Sequence, residues 1–219
     1  MTLAIIAGGT DRRASLGMAA AVAVEGAGLT GAGTLLVEVG EGARRRGPTL
    51  LAAPGARRIE ERLRTEGLNG SARGQLCHLA IPDPGDALEA ARRSVIAAEA
   101  ELVVLHLPGW LWVPALESGL PIGGACLLVS LPAERSLAAL AVGEFERRSL
   151  PARISTRAPG PLAARRALAG VRPGGAASAS ARRLAARLLG LGRSAGRRRS
   201  TQGGQALPAL LGAGLIVIL

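Results

Sequence analysis

The chain has 219 residues, enough for one α/β domain with a sizeable core and a tail. All 27 of its basic residues are arginine, which excludes any mechanism that needs a lysine amine, whether as a Schiff base or as a phosphate-binding ammonium. The net charge of +11 is unevenly placed: residues 1–150 hold 15 arginines against all 16 acids, whereas residues 151–219 hold 12 arginines and no acid. A neutral body followed by a polycation suits an anionic partner, lipid headgroups or nucleic acid.

In chain order, strands are predicted at 3–7, 34–39, 75–81, 102–107, 125–131 and 153–156. Several of these are continuous apolar runs, as expected for strands covered on both faces. Helices are predicted between them at 13–25, 56–66, 85–99, 111–118, 133–148 and 161–170. The third starts at Asp83-Pro84, and the fifth, after Pro132, carries Leu137, Leu140 and Ala141 at core spacing. The alternation predicts an α/β fold, a mostly parallel sheet with helices on both faces. Trp110 and Trp112 make a small apolar loop, read either as core or as a contact surface. Beyond 170 the texture turns Arg-, Gly- and Ser-rich through 205. One helix at about 179–190 carries Ala181, Leu184, Ala185, Leu188 and Leu191 on one stripe; it is read as the last cover of the sheet or as a basic membrane-surface helix, with the sheet favoured.

The organisation is therefore 1–170 as the α/β domain, 171–205 as the basic region, and 206–219 as an uncharged apolar segment. A 14-residue helix reaches only ~21 Å, short of the ~30 Å hydrocarbon core. Arg197, Arg198 and Arg199, just before it, would hold its start on the cytoplasmic side. No signal peptide is expected, because Thr2 to Ala7 is short, lacks a basic flank and runs into a glycine turn. Cys77, Cys126, His78 and His106 are too scattered for a metal site, and both cysteines are expected to be small buried hydrophobes.

The first strand, the Gly8-Gly9 turn and the first helix have the outline of a phosphate-binding loop. With TLLVEVGEG, ELVVLHLPG and ACLLVSLPAERSLAAL following, residues 1–170 resemble the MinD/ParA group of deviant P-loop ATPases, and particularly its pilus-associated TadZ/CpaE branch. The family loop reads KGGxGKTT, so the resemblance implies that Arg12 stands at the lysine, Arg13 at the following hydroxyl and Asp11 at a glycine, with Ala7 replacing the signature lysine. Ser15 is a displaced magnesium ligand if the loop carries an insertion. Of the second motif Glu38 keeps one carboxylate while Gly40 replaces an aspartate, and His106 stands where the third motif carries a magnesium-linked carboxylate. Imidazole is a poor partner for magnesium, and four losses in one site point to a degenerate ATPase with no catalytic residue and no required cofactor. Residual ATP binding at the helix start stays open. Ser15, His106 and Glu38 would meet at the carboxyl edge of the sheet, but without a G-x-S-x-G elbow no hydrolase triad is expected.

The segment GQALPALLGAGLIVIL is similar to the opening of the hydrophobic segment of Tad minor-pilin-like proteins. Together the resemblances imply a non-hydrolysing localisation or assembly factor, cytoplasmic and held at the inner face of the cell membrane. Arg193, Arg197, Arg198 and Arg199 would meet anionic headgroups, and Leu210 to Leu219 would enter the acyl layer. Pilus or secretion machinery proteins are the implied partners, and a homodimer is compatible. Two rivals stand beside this reading: an active ATPase with an unorthodox loop, and a DNA-binding partition-like protein using the same polycation.

Overall fold

The computed structural model describes residues 1–8, 11–49, 51–82, 87–108, 112–120, 122–128 and 132–191. Its strands are β1 (Thr2–Gly8), β2 (Thr34–Val39), β3 (Ser71–Arg73), β4 (Leu76–Ile81), β5 (Leu102–Pro108), β6 (Ile122–Leu128) and β7 (Ala152–Ser155). Its helices are α1 (Arg12–Thr30), α2 (Pro54–Thr65), α3 (Ala87–Ala98), α4 (Trp112–Glu117), α5 (Pro132–Arg147), α6 (Pro161–Leu168) and α7 (Gly175–Leu188). They build one seven-stranded sheet in the order β3-β4-β2-β5-β1-β6-β7, parallel except for the antiparallel β3–β4 pair. The α/β class with a mostly parallel sheet and helices on both faces is thus the observed one.

Core residues divide by strand parity, because alternate side chains leave a strand on opposite faces. Leu3, Ile5, Leu35, Val37, Val103 and Leu105 join α2, α3 and α5 on one face, while Ala4, Ile6, Leu36 and Val104 meet α1, α6 and α7 on the other. Helix α1 is the hub of the second layer: every residue from Ser15 to Ala27 is buried. It runs past the expected end at 25, since Gly26 gives room to the Leu102 side chain and only Gly31, at φ 71°, takes the left-handed turn that stops it.

Helix α7 sits on α1 through Ala181, Leu184 and Ala185, so the arginine-rich region contributes to the core as a cover of the sheet. Leu188 packs partly buried against the same cluster, and Leu191 is half exposed. The α5 expectation needs correcting. Leu137 and Leu140 are 69% and 73% exposed, and the buried face is Ala138, Ala141 and Phe145. Two alanines let the helix lie close to the sheet and Phe145 fills the space beneath, which turns the leucines outward. Strand β6 begins at Ile122 rather than 125, because Gly124 is taken into the strand where a Cβ would press on Leu188. The short β3 lies outside the expected set. It blunts one edge of the sheet, as short edge strands do, and Gly170, at φ 76°, docks its backbone there on the Arg73 carbonyl. Gln75 N–H donates to Gly170 O at 3.0 Å.

Asp83, Pro84, Gly9 and Trp110 lie outside the described residues, as does everything from Gly192 onward, including Arg193, Arg197, Arg198, Arg199, Leu210 and Leu219. The same holds for the side chains of Trp112 and Cys126. Among the described residues no helix is long and apolar enough to cross a membrane.

Candidate functional site

Where β1 gives way to α1, at the carboxyl edge of the sheet, a cluster of buried polar side chains gathers: Ser15, Glu38, His78 and His106. Asp11 caps α1, its Oδ1 accepting from the Ala14 N–H at 3.0 Å, a favourable position for a short carboxylate. One turn later Ser15 is fully buried against Gly8, where any Cβ would run into the Ser15 side chain. Gly8 is therefore needed for the close approach of Ser15.

Arg12 and Arg13 diverge. Arg12 turns inward, with Nη2 donating to Glu38 Oε1 at 2.9 Å and Nη1 donating to the Glu41 carbonyl. Arg13 is exposed. Glu38, at the end of β2, is 1% exposed. Its Oε2 accepts from His78 Nε2 at 2.9 Å and lies 3.7 Å from Arg46 Nη2. Burial alone would raise its pKa; the His78 hydrogen bond and charge, with the guanidiniums of Arg46 and Arg12, outweigh that and hold it below the usual carboxylate value. Both oxygens of Glu38 are thus committed inside the protein.

His106, on β5, stands in cross-strand register with Glu38 and is fully buried. Burial pushes its pKa down to about 4; Glu38 opposes the shift, while Arg12 and His78 add to it. The ring is neutral at pH 7. Its Nε2 lies 2.8 Å from Ser15 Oγ, and that hydroxyl also lies 3.1 Å from the Arg12 carbonyl, to which it donates. A hydroxyl has one proton, so Nε2–H donates to Oγ and Nδ1 carries the lone pair, which meets no partner.

Ser15, His106 and Glu38 therefore do meet, as their positions in the sequence anticipate, but not as a triad. Glu38 bonds His78 instead of His106, and the Ser15 proton points to a backbone carbonyl rather than to the imidazole. His78 and Arg46 are the members that sequence reasoning missed. His78 shares strand parity with the Glu38 face, pairing in register with Leu36 two residues before Glu38. That signal becomes visible once β4 is known to neighbour β2.

The fit of a magnesium nucleotide can be tested on these atoms. The Arg12 guanidinium is bonded inward, both oxygens of Glu38 are taken up, and His106 offers a buried neutral imidazole already bonded to a serine. These residues do not fit a magnesium site. Among the described residues no group of three or more His, Cys, Asp or Glu is placed to hold a metal ion. Cys77 is buried among apolar neighbours, and burial pushes its thiol up to about 12, so it packs as a small hydrophobe.

Among solved structures the chain is similar to cobyrinic acid a,c-diamide synthase from Mycobacterium smegmatis, at 13% identity over 89% of this chain and 96% of that one, with a TM-score of 0.51. The fold is P-loop NTPase-like. The same enzyme with bound ADP and magnesium aligns at 14% identity over 89% and 97% of the two chains, TM-score 0.49. A ParA family ATPase from Chlorobium tepidum TLS aligns at 10% identity over 88% and 93%, TM-score 0.48. No family model matches the chain, and no curated protein does.

Proposed function

We propose that this P-loop NTPase-like chain is a non-hydrolysing member of the MinD/ParA group that works by binding, as a localisation or assembly factor at the inner face of the cell membrane. The observation that carries the reading is the inward anchoring of Arg12 between Glu38 and the Glu41 carbonyl. Phosphoryl transfer depends on a cation and a magnesium-organising carboxylate facing the γ-phosphate, and here the two neutralise each other. Purified full-length protein is expected to release no phosphate from magnesium ATP above the buffer rate. Magnesium-dependent turnover that disappears in Arg12→Ala would replace this reading with that of an active ATPase.

The membrane part rests on the composition of the tail: Arg193, Arg197, Arg198 and Arg199 precede a 14-residue uncharged stretch ending at Leu219. One polybasic cluster joined to one apolar anchor supplies the two signals that stable attachment needs. The MinD/ParA and Tad resemblances point to pilus or secretion machinery as the protein partner. In flotation with phosphatidylglycerol vesicles, the full chain is expected to rise with the lipid and a chain ending at Gly192 to stay behind. If both stay in the soluble fraction the membrane assignment fails, and steeply salt-dependent DNA binding would then favour a partition-like role.

A further inference from the structure

Helix α5 keeps one apolar face without cover. Leu137 and Leu140 stand one turn apart on it, 69% and 73% exposed, while Ala138, Ala141 and Phe145 fill the face toward the sheet. Other large aliphatics that reach the surface among the described residues, such as Leu51, Ile96 and Leu162, stand singly on their elements. Beside Leu140, a Cβ at Gly143 would meet no atom within 4 Å. Glycine weakens a helix interior, and no packing among the described residues requires this one; it leaves a shallow seat next to the leucines. From 136 to 143 the helix carries no charge, a stretch bounded by Arg135 and Glu144.

The same chain holds a second uncharged apolar stretch in need of cover, residues 206–219, which lies outside the described residues. Its attachment point is close to α5. Leu188, in the last turn of α7, lies over Gly124 of β6 near Pro151, the residue before β7. Strand β7 is the edge of the sheet, and α5 packs on β6 and β7 from the other face. The chain has only that one edge to pass, and the 14 residues between Leu191 and Ala206 can reach up to about 50 Å. A second copy is a poorer occupant. Two leucines and a glycine fall well short of the roughly 800 Å2 per partner of a stable dimer, whereas a segment of the same chain acts at an effective concentration on the order of millimolar.

We infer that, away from lipid, residues 207–219 lie on the α5 stripe of Leu137, Leu140 and Gly143, and that a membrane competes with this stripe for the segment. The inference rests on the reading of the tail as a membrane anchor and adds its regulation. In water the stripe and the segment remove each other's apolar surface from solvent. At an anionic bilayer the arginines that precede the segment shift the balance toward lipid. Only the undocked fraction can enter the acyl layer, so the stripe lowers the apparent membrane affinity by that fraction.

Flotation of the full chain with phosphatidylglycerol vesicles, titrated in lipid, is the test. Leu137→Gln/Leu140→Gln replaces the stripe on an exposed face with a residue that suits a helix, and circular dichroism checks that the fold is kept. This variant is expected to reach half-maximal flotation at a lipid concentration at least about fivefold lower than the unaltered chain. Ile96→Gln/Leu162→Gln removes exposed aliphatic surface from α3 and α6 instead and is expected to shift the midpoint by less than about twofold, because the undocked fraction is unchanged. If neither the unaltered chain nor the stripe variant floats, the membrane reading falls and this inference falls with it. If both float at the same lipid concentration, or the two double variants shift equally, the membrane reading stands and docking on α5 is overturned. It is also overturned if Leu137→Gln/Leu140→Gln needs more lipid, which would make the leucines part of the membrane contact, or if sedimentation of the unaltered chain shows a dimer that this variant abolishes, which would give the stripe to a second copy.

Discussion

Lowering the pH from 7 to about 4 is expected to cost the folded chain roughly 3 kcal/mol through His106 alone. The imidazole has an ordinary value of 6.5 when unfolded and about 4 when folded. Between those values the unfolded chain binds the extra proton and the folded chain does not, so stability is full above 6.5 and drains away as the pH falls toward 4. The groups facing the ring set the direction: Glu38 across the strand favours protonation, while burial and the charges of Arg12 and His78 oppose it. Urea unfolding at pH 7, 5.5 and 4.5 measures the slope. In His106→Gln the amide can still donate to Ser15 but cannot take up a proton, and the slope across this window should flatten. An unchanged slope would show that the ring does not carry it.

Glu38→Gln is the second large effect. It keeps the volume of the side chain and removes the charge on which Arg12, Arg46 and His78 converge. Breaking a buried pair from one side costs about 3–5 kcal/mol, because the partner charges are left uncompensated. Arg12 and Arg46 retain 30% and 32% side-chain exposure and can turn toward water, which places the expected loss near the lower end. A fall of roughly 10 °C in melting temperature corresponds to about 3 kcal/mol in a chain of this size. The acid profile separates the two residues. The folded pKa of Glu38 lies below its usual 4.5, so its contribution is whole above 4.5 and is lost as the pH falls through the lowered value. Glu38→Gln should remove Glu38's own limb, while His106, having lost the carboxylate that favours its protonation, keeps draining stability to a lower pH.

Strands β1, β2 and β5 were legible because continuous apolar runs have no other good home than a sheet covered on both sides. Strand β6 was misplaced by three residues because Gly123-Gly124 looks like a turn when nothing shows that Leu188 will lie over it. Helix α5 carries apolar side chains on two adjacent stripes, and the pattern alone cannot say that the alanine stripe faces inward. At the site, Ser15, Glu38 and His106 were readable as residues at strand ends and a helix start. Their bonding was not, because Glu38 chose its partner across β2–β4, a neighbour relation that sequence order hides. Arg12 was readable as a cation in a lysine's place, but its inward orientation follows from the position of Glu38 across the sheet edge.

The clasp between α6 and the far edge of the sheet has a consequence for how the protein is made. Arg73 on β3 bonds Leu168 O, a partner 95 residues later in the chain. Helices α6 and α7, which flank α1, are both encoded after β7. A nascent chain with all seven strands already synthesised therefore still shows an alanine- and valine-rich α1 with both its flanks bare. Apolar surface left open during synthesis invites association with other chains. The arginine-rich end of the body thus completes the core last, and the interval before it emerges is when the protein is most open to misassembly.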